Sequence, residues 1–170
     1  MSERKIIVDE SEIAYDGLFD IKEVYALIDD FLKQKNYDKF EKANREYVGS
    51  TGKEIYYVIT PIFAISDFAR KFLKIDLSAK EVKEVEVEID GVKRRMQQGK
   101  LRILLSGILE TDYEGRWEQT AFYYFIRTVF NKYVYRKHTE DFEGQIKNDV
   151  MMLREQLGAL LNLYRYKKSS

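Results

Sequence analysis

The chain has 170 residues, no net charge at pH 7 and no cysteine. Its length predicts a single domain over residues 1–170, large enough to bury about 70% of the surface that the unfolded chain exposes. With 45% apolar and 34% charged residues, the composition is that of a folded globular protein. The absence of cysteine excludes disulfides, thiolate nucleophiles, iron–sulfur clusters and thiolate zinc sites.

The sequence contains no apolar run of the kind that targets or spans a membrane. The first ten residues lack the apolar core of a secretory signal, and no segment approaches eighteen consecutive apolar residues. We therefore expect a cytoplasmic protein without a transmembrane segment.

The two signs of charge are unevenly distributed along the chain. Residues 1–90 carry fourteen Lys and Arg against twenty Asp and Glu, whereas residues 91–138 carry ten against four. A basic middle segment is compatible with an anionic partner. We favour a simpler interpretation, in which acidic and basic strands lie side by side and neutralise each other.

The first predicted elements are a strand and an amphipathic helix. Apolar residues predict a strand from residue 6 to a break at Gly17. Asp20 and Glu23 then match the two polar positions of a helix capping box. The helix should end near Lys35. Its apolar residues recur at helical spacing: Val24, Leu27, Ile28, Phe31 and Leu32.

Residues 37–48 fit either a second helix or an exposed strand. Asn36 ends the preceding helical pattern and residues 49–52 are typical of a hairpin loop, so we favour the strand. From residue 54 to residue 109 the pattern is that of strands throughout, because β-branched and aromatic residues cluster and apolar residues alternate with polar ones. Two segments show the alternation: Ala69, Leu73, Ile75 and Leu77, then Leu101, Ile103, Leu105, Gly107 and Leu109.

Asp90 and Gly91 form the strongest turn signal of the sequence, a two-residue type I′ hairpin. Each opposite-charge pair across such a hairpin contributes about 0.2–1 kcal/mol. The basic cluster at residues 93–95 is therefore explained without a nucleic acid. Closing the turn pairs Ile89 with Val92, Glu88 with Lys93, Val87 with Arg94 and Glu86 with Arg95.

Two helices are predicted after the strands. They follow a polar loop between Tyr113 and Trp117 that contains the only tryptophan. The first helix covers residues 120–136 and has an almost complete apolar face. The second begins near Thr139 and runs for about 25 residues, or about 37 Å, which is long enough to cross a sheet. Its apolar stripe is Phe142, Ile146, Val150, Leu153, Leu157, Leu160, Leu161 and Tyr164.

This order of elements predicts an α+β fold, in which an antiparallel sheet meander carries an early helix and a long C-terminal helix on one face. The order resembles the helix-grip family, the START and Bet v 1-like ligand-binding domains, over most of the chain. The resemblance rests on element order and length, and no signature motif transfers a functional residue. It implies a curved sheet wrapped around the C-terminal helix, with an apolar cavity between them.

Motifs for catalysis or metal binding are missing from the sequence. His138 is the only imidazole and stands beside basic residues, which does not suit a cation site. Neither a Gly-x-Ser-x-Gly elbow nor a glycine-rich phosphate loop is present. We therefore assign no catalytic residue, no metal and no cofactor, and a non-enzymatic function is favoured over an enzyme.

Two features suggest an interaction surface. Arg116 and Trp117 are residue types typical of binding hot spots, although Trp117 capping the core is the interpretation we favour. The helix over residues 120–136 adds the cations Arg127, Lys132 and Arg136 beside tyrosines, as on membrane or RNA-binding surfaces. A chain with no net charge disfavours a nucleic acid partner, because such affinity scales with cation–phosphate contacts.

The sequence thus leads to one main expectation and one alternative. The main expectation is a binding protein that holds an apolar or amphipathic small molecule between the sheet and the C-terminal helix. The alternative is a module that binds a protein, membrane or RNA through the loop and the basic aromatic helix. Candidate wall positions, each equally compatible with a solid core, are Tyr57, Ile103, Leu105, Trp117, Phe125, Leu153 and Leu157.

Overall fold

The computed structural model describes residues 3–39, 41–66, 69–111 and 136–168, apart from the side chains of residues 41, 42, 136–138, 167 and 168. The predicted loop between Tyr113 and Trp117 and the predicted helix over 120–136 lie outside these residues, except that Arg136 begins the last helix. The elements are β1 (Glu3–Phe19), α1 (Ile21–Gln34), β2 (Glu41–Gly49), β3 (Gly52–Ile59), β4 (Ile62–Ala64), β5 (Ala69–Ile89), β6 (Val92–Thr111) and α2 (Arg136–Lys168).

The strands form one antiparallel sheet in the order β1-β6-β5-β3-β2, and the short β4 pairs with β5. The first strand therefore lies beside the last, and the others lead back across the sheet. The predicted α+β fold is confirmed, and its order of elements is broadly that of a helix-grip fold. The strand favoured for residues 37–48 is confirmed over residues 41–48, where β2 pairs with β3.

The hairpin between β5 and β6 has the predicted register. Glu88 pairs with Lys93 and Glu86 with Arg95, on either side of the turn at Asp90 and Gly91. Acidic β5 positions therefore face basic β6 positions, as expected, and Lys93 Nζ lies 3.7 Å from the Glu86 carboxylate across the two strands.

Alternation divides the sheet into an inner face toward the helices and an outer face. The odd-numbered residues of β5 from Ala69 to Ala79 and of β6 from Leu101 to Leu109 are buried on the inner face. Beyond Ala79 the register of β5 shifts by a bulge between Lys80 and Lys83, which the sequence analysis did not predict. The bulge puts Val82 on the buried side.

Helix α1 begins as its capping residue predicts. The Asp20 carboxylate accepts a hydrogen bond from the backbone N–H of Lys22 at 2.9 Å, and the helix ends at Gln34 beside its C-cap Lys35. Glu23, which was expected to complete a capping box, instead accepts a hydrogen bond from the Tyr164 hydroxyl on α2. The expected strand break at Gly17 was wrong, because β1 continues to Phe19.

Helix α2 lies along β1, β6 and β5 and covers the inner face together with α1. Its predicted apolar stripe is confirmed, and α2 begins at Arg136, three residues before the predicted start. Six stripe residues are buried: Ile146, Val150, Leu153, Leu157, Leu161 and Tyr164. Within the described ranges, no helix combines the length and apolar character needed to cross a membrane.

A charged cluster joins three strands at the C-terminal end of β6. Glu110, whose side chain is 2% exposed, accepts hydrogen bonds from Arg4 on β1 at 2.9 Å and from Arg70 on β5. Burial acts to raise the pKa of Glu110, but the hydrogen bonds from Arg70 and Arg4 outweigh it and lower the pKa below its usual value. Glu110 therefore stays ionised and ties β1, β6 and β5 together.

Candidate functional site

Five of the apolar wall positions predicted from the sequence come together between the sheet and its two helices. Tyr57, Ile103, Leu105, Leu153 and Leu157 are each at most 4% exposed and belong to one apolar cluster. The strand residues reach it because they share the inner face, and the helix residues because positions four apart share one face of α2. Trp117 and Phe125 lie outside the described residues.

Helix α2 touches the sheet closely at Gly107. A Cβ atom added there would overlap the Cγ2 atom of Ile146 and lie 3.1 Å from that of Val150. A glycine at this position therefore lets the first half of α2 rest directly on the backbone of β6. The inner face is packed solidly at this end of the helix.

Beside this contact, three charged side chains and one tyrosine form a cluster that we call the Asp149 cluster. It consists of Asp149 on α2, Lys71 on β5, and Lys35 and Tyr37 at the end of α1. The Asp149 carboxylate accepts hydrogen bonds from Lys71 Nζ at 2.9 Å and from the Tyr37 hydroxyl at 2.8 Å. Lys35 Nζ lies 3.4 Å from its second oxygen.

Most of the Asp149 cluster is withdrawn from solvent. The side chains of Lys71 and Asp149 are 7% and 5% exposed, whereas that of Lys35 is 31% exposed. Lys35 therefore forms the solvent side of the cluster. Because the cluster contains two ammonium groups and one carboxylate, it has an excess of one positive charge.

Aromatic rings surround the buried ammonium group. Lys71 Nζ lies 5.1 Å from the ring centroid of Tyr37 and 4.9 Å from that of Phe63. These distances fall within the range of cation–π attraction, which is stronger away from water. Burial, together with the neighbouring Asp149 carboxylate, raises the pKa of Tyr37, so its hydroxyl remains a neutral hydrogen-bond donor.

Thr60, in the connection between β3 and β4, has a second unusual polar group. Its hydroxyl is buried and has no hydrogen-bond partner among the described residues. Buried hydroxyls normally form a hydrogen bond. The Thr60 hydroxyl forms none among the described residues, and it lies in the same chain segment as Phe63.

The predicted interaction surface falls mainly outside the described residues. Arg116, Arg127 and Lys132 belong to that part of the chain, and Arg136 opens α2 with a side chain that is likewise not described. In the described part of the chain, no group of three or more His, Asp or Glu side chains is arranged to hold a metal ion.

Comparison with known proteins adds no relative. No protein-family model, curated protein or solved structure matches the chain. A function is therefore inferred from the residues and the fold of the chain itself.

The Asp149 cluster was not predicted from the sequence, although a signal for it is present. Lys71 occupies the buried phase of β5 between Ala69 and Leu73. Asp149 lies three residues after Ile146 and four before Leu153, on the buried stripe of α2. A charged residue in phase with a buried face predicts a paired or functional group, since an unpaired buried charge is very costly.

Proposed function

We propose that the protein binds an amphipathic small molecule, without enzymatic turnover, between the sheet and α2. The apolar part of the ligand lies against Ile103, Leu105, Leu153 and Leu157, and its anionic end faces the Asp149 cluster. The observation that carries the proposal is the excess ammonium charge of this cluster at the margin of an otherwise apolar interior.

Small-molecule sites are mostly apolar, with a few polar groups that converge on one end of the ligand. The Asp149 cluster has this composition, with polar groups from α1, β5 and α2 meeting at one margin of the apolar cluster. A buried ion pair adds little stability that apolar residues of similar size would not supply. A role in binding accounts for its presence where a role in folding alone does not.

The helix-grip-like order of elements also supports a ligand between the sheet and the C-terminal helix. The resemblance to START and Bet v 1-like domains implies a site at this place in the fold. Four of the predicted wall residues are buried on the two elements that meet there: Ile103 and Leu105 on β6, and Leu153 and Leu157 on α2.

The position of α1 indicates where the interior can open. At Gly107, α2 rests on the sheet backbone and leaves no room. By contrast, α1 meets β3 through two tyrosine rings, Tyr25 and Tyr57, whose centroids are 4.7 Å apart. We place ligand access on the α1 side, next to the half-exposed Lys35.

A fluorescent fatty acid tests the proposal. We expect 11-(dansylamino)undecanoic acid to give saturable, blue-shifted emission with the purified protein, and oleic acid to displace it more strongly than oleyl alcohol does. The preference for the carboxylate should disappear in Lys35→Gln, because one of the two ammonium groups is then lost. Lys74→Gln, an exposed lysine on β5, is the matched control and should keep the preference.

Lys35 is partly exposed, so its substitution leaves the fold intact and the test remains interpretable. Absence of saturable emission in the wild-type protein would overturn the proposal. Equal displacement by oleic acid and oleyl alcohol would overturn the part assigned to the Asp149 cluster.

A further inference from the structure

A groove of 440 Å³ lies on the outer face of the sheet, across β1, β6 and β5. Alternation separates it from the interior, since its outer-face residues stand between inward-facing neighbours such as Leu101 and Ala79. The register aligns these residues in two rows. One row contains Ala14, Arg102 and Ser78, and the other contains Asp16, Lys100 and Lys80.

The bulge in β5 forms one end of the groove. Glu81 has a positive φ of 54°, and the register against β6 shifts between Lys80 and Lys83. Gly99 faces this bulge so closely that an added Cβ would lie 2.8 Å from the carbonyl oxygen of Lys80. Bulges that redirect side chains in this way are frequent beside functional sites.

The residues that line the groove carry three cations and one carboxylate. Lys100 pairs with Glu81 at 2.9 Å and Arg102 with Glu12 at 3.0 Å, both at the edge of the groove. These pairs are more than half exposed on the basic side, and such pairs contribute little energy, so the cations can turn to a ligand at low cost. Lys80 has no ion-pair partner in the described part of the chain.

We propose that this groove is an anion site for a phosphate monoester with a small apolar body. Two lysines and one arginine suit a dianion, and the guanidinium group is the side chain best matched to phosphate oxygens. Ala14 and the aliphatic parts of the lysines supply apolar surface for the body. The volume is that of a site for a compact ligand.

Calorimetric titration of the full chain with phenyl phosphate, inorganic phosphate and benzyl alcohol tests the site. Phenyl phosphate has both the charge of inorganic phosphate and the aromatic ring of benzyl alcohol, so we expect it to bind most tightly of the three. Lys80→Gln should weaken it about fivefold, the effect of one charge at contact distance in water. Added salt should weaken binding to the wild-type protein more than to this variant.

One further variant separates the apolar part of the groove from its charged part, and another is a control. Ala14→Leu fills the apolar end and should weaken phenyl phosphate much more than inorganic phosphate. Lys74→Gln is the matched control, since Lys74 is an exposed lysine on the same face of β5, about 20 Å from Lys80.

Vesicles that contain phosphatidic acid distinguish a lipid headgroup from a soluble ester. Co-sedimentation that depends on Lys80 would assign the site to a lipid, and binding of phenyl phosphate without co-sedimentation would assign it to a soluble ligand. Absence of saturable phosphate binding, or equal weakening by Lys74→Gln and Lys80→Gln, would overturn the proposal.

Discussion

Removal of the Asp149 carboxylate should strongly destabilise the protein. In Asp149→Ala, the Lys71 ammonium group loses its 2.9 Å partner while its side chain stays 7% exposed. The Tyr37 hydroxyl loses its acceptor at the same time. Breaking one side of a buried pair costs about 3–5 kcal/mol, a large part of the roughly 5–15 kcal/mol that stabilises a typical domain.

Urea unfolding followed by circular dichroism measures this loss, with linear extrapolation to water. Asp141→Ala, an exposed aspartate on the same helix, is the control and should change stability by less than about 0.5 kcal/mol. The double variant Lys71→Met, Asp149→Leu removes both charges but still leaves the buried Tyr37 hydroxyl without its acceptor. It should therefore lose only about 1–3 kcal/mol relative to the wild type, less than Asp149→Ala does. A loss below about 1 kcal/mol in Asp149→Ala would refute this account of the cluster.

Three other outcomes follow from the fold. Gly107→Ala should lower the free energy of unfolding by about 1–3 kcal/mol through overpacking. Ile146→Ala should lower it less in that variant than in the wild type, because the clashing side chain is removed, and additive losses would contradict the close contact. Because the pKa of Glu110 is lowered in the folded protein, its stabilisation is present above the usual carboxyl pKa and is lost as the pH falls. Chemical unfolding at a series of pH values should therefore show Glu110→Gln approaching the wild type in acid, and a gap independent of pH would contradict this. Asp20→Ala should lower the stability measured by thermal unfolding by about 1 kcal/mol, because the helix loses its N-cap. Asp30→Ala, the control, should change stability little, and equal losses would contradict the capping role of Asp20.

The sequence predicted those elements whose signals are local. Asp90 and Gly91 determine a two-residue turn, and the turn determines the register of the pairs from Ile89–Val92 to Lys83–Gln98, as far as the bulge. The apolar stripe of α2 could be predicted because eight apolar residues recur with the repeat of an α-helix. Strand β4 escaped prediction because three residues, Ile62–Ala64, are too few to show an alternation.

The bulge in β5 and the end of β1 depend on contacts between strands rather than on local pattern. Val82 breaks the odd-numbered alternation of β5, which is a signal for the bulge, but only pairing with β6 shows where the extra residue lies. Gly17 was interpreted as a break, whereas it lies opposite Gly99 and lets β1 continue. A single glycine does not distinguish these two outcomes.

The candidate site was half predictable. The apolar wall follows from periodicity, since Ile103, Leu105, Leu153 and Leu157 all occupy buried phases. The partners of the Asp149 cluster come from residues 35, 37, 71 and 149, and only the tertiary fold brings them together. The outer groove likewise arises from three strands and shows no motif in the chain.

The most direct test of ligand binding uses a spin-labelled fatty acid. In ¹⁵N-labelled protein saturated with 16-doxyl-stearic acid, amide signals near the label broaden, and the pattern locates the acyl chain. We expect broadening centred on Ile103 and Leu105 in β6 and on Leu153 and Leu157 in α2. Broadening confined to the outer face around Lys80 and Lys100, or none at saturation, would contradict a ligand site between the sheet and α2.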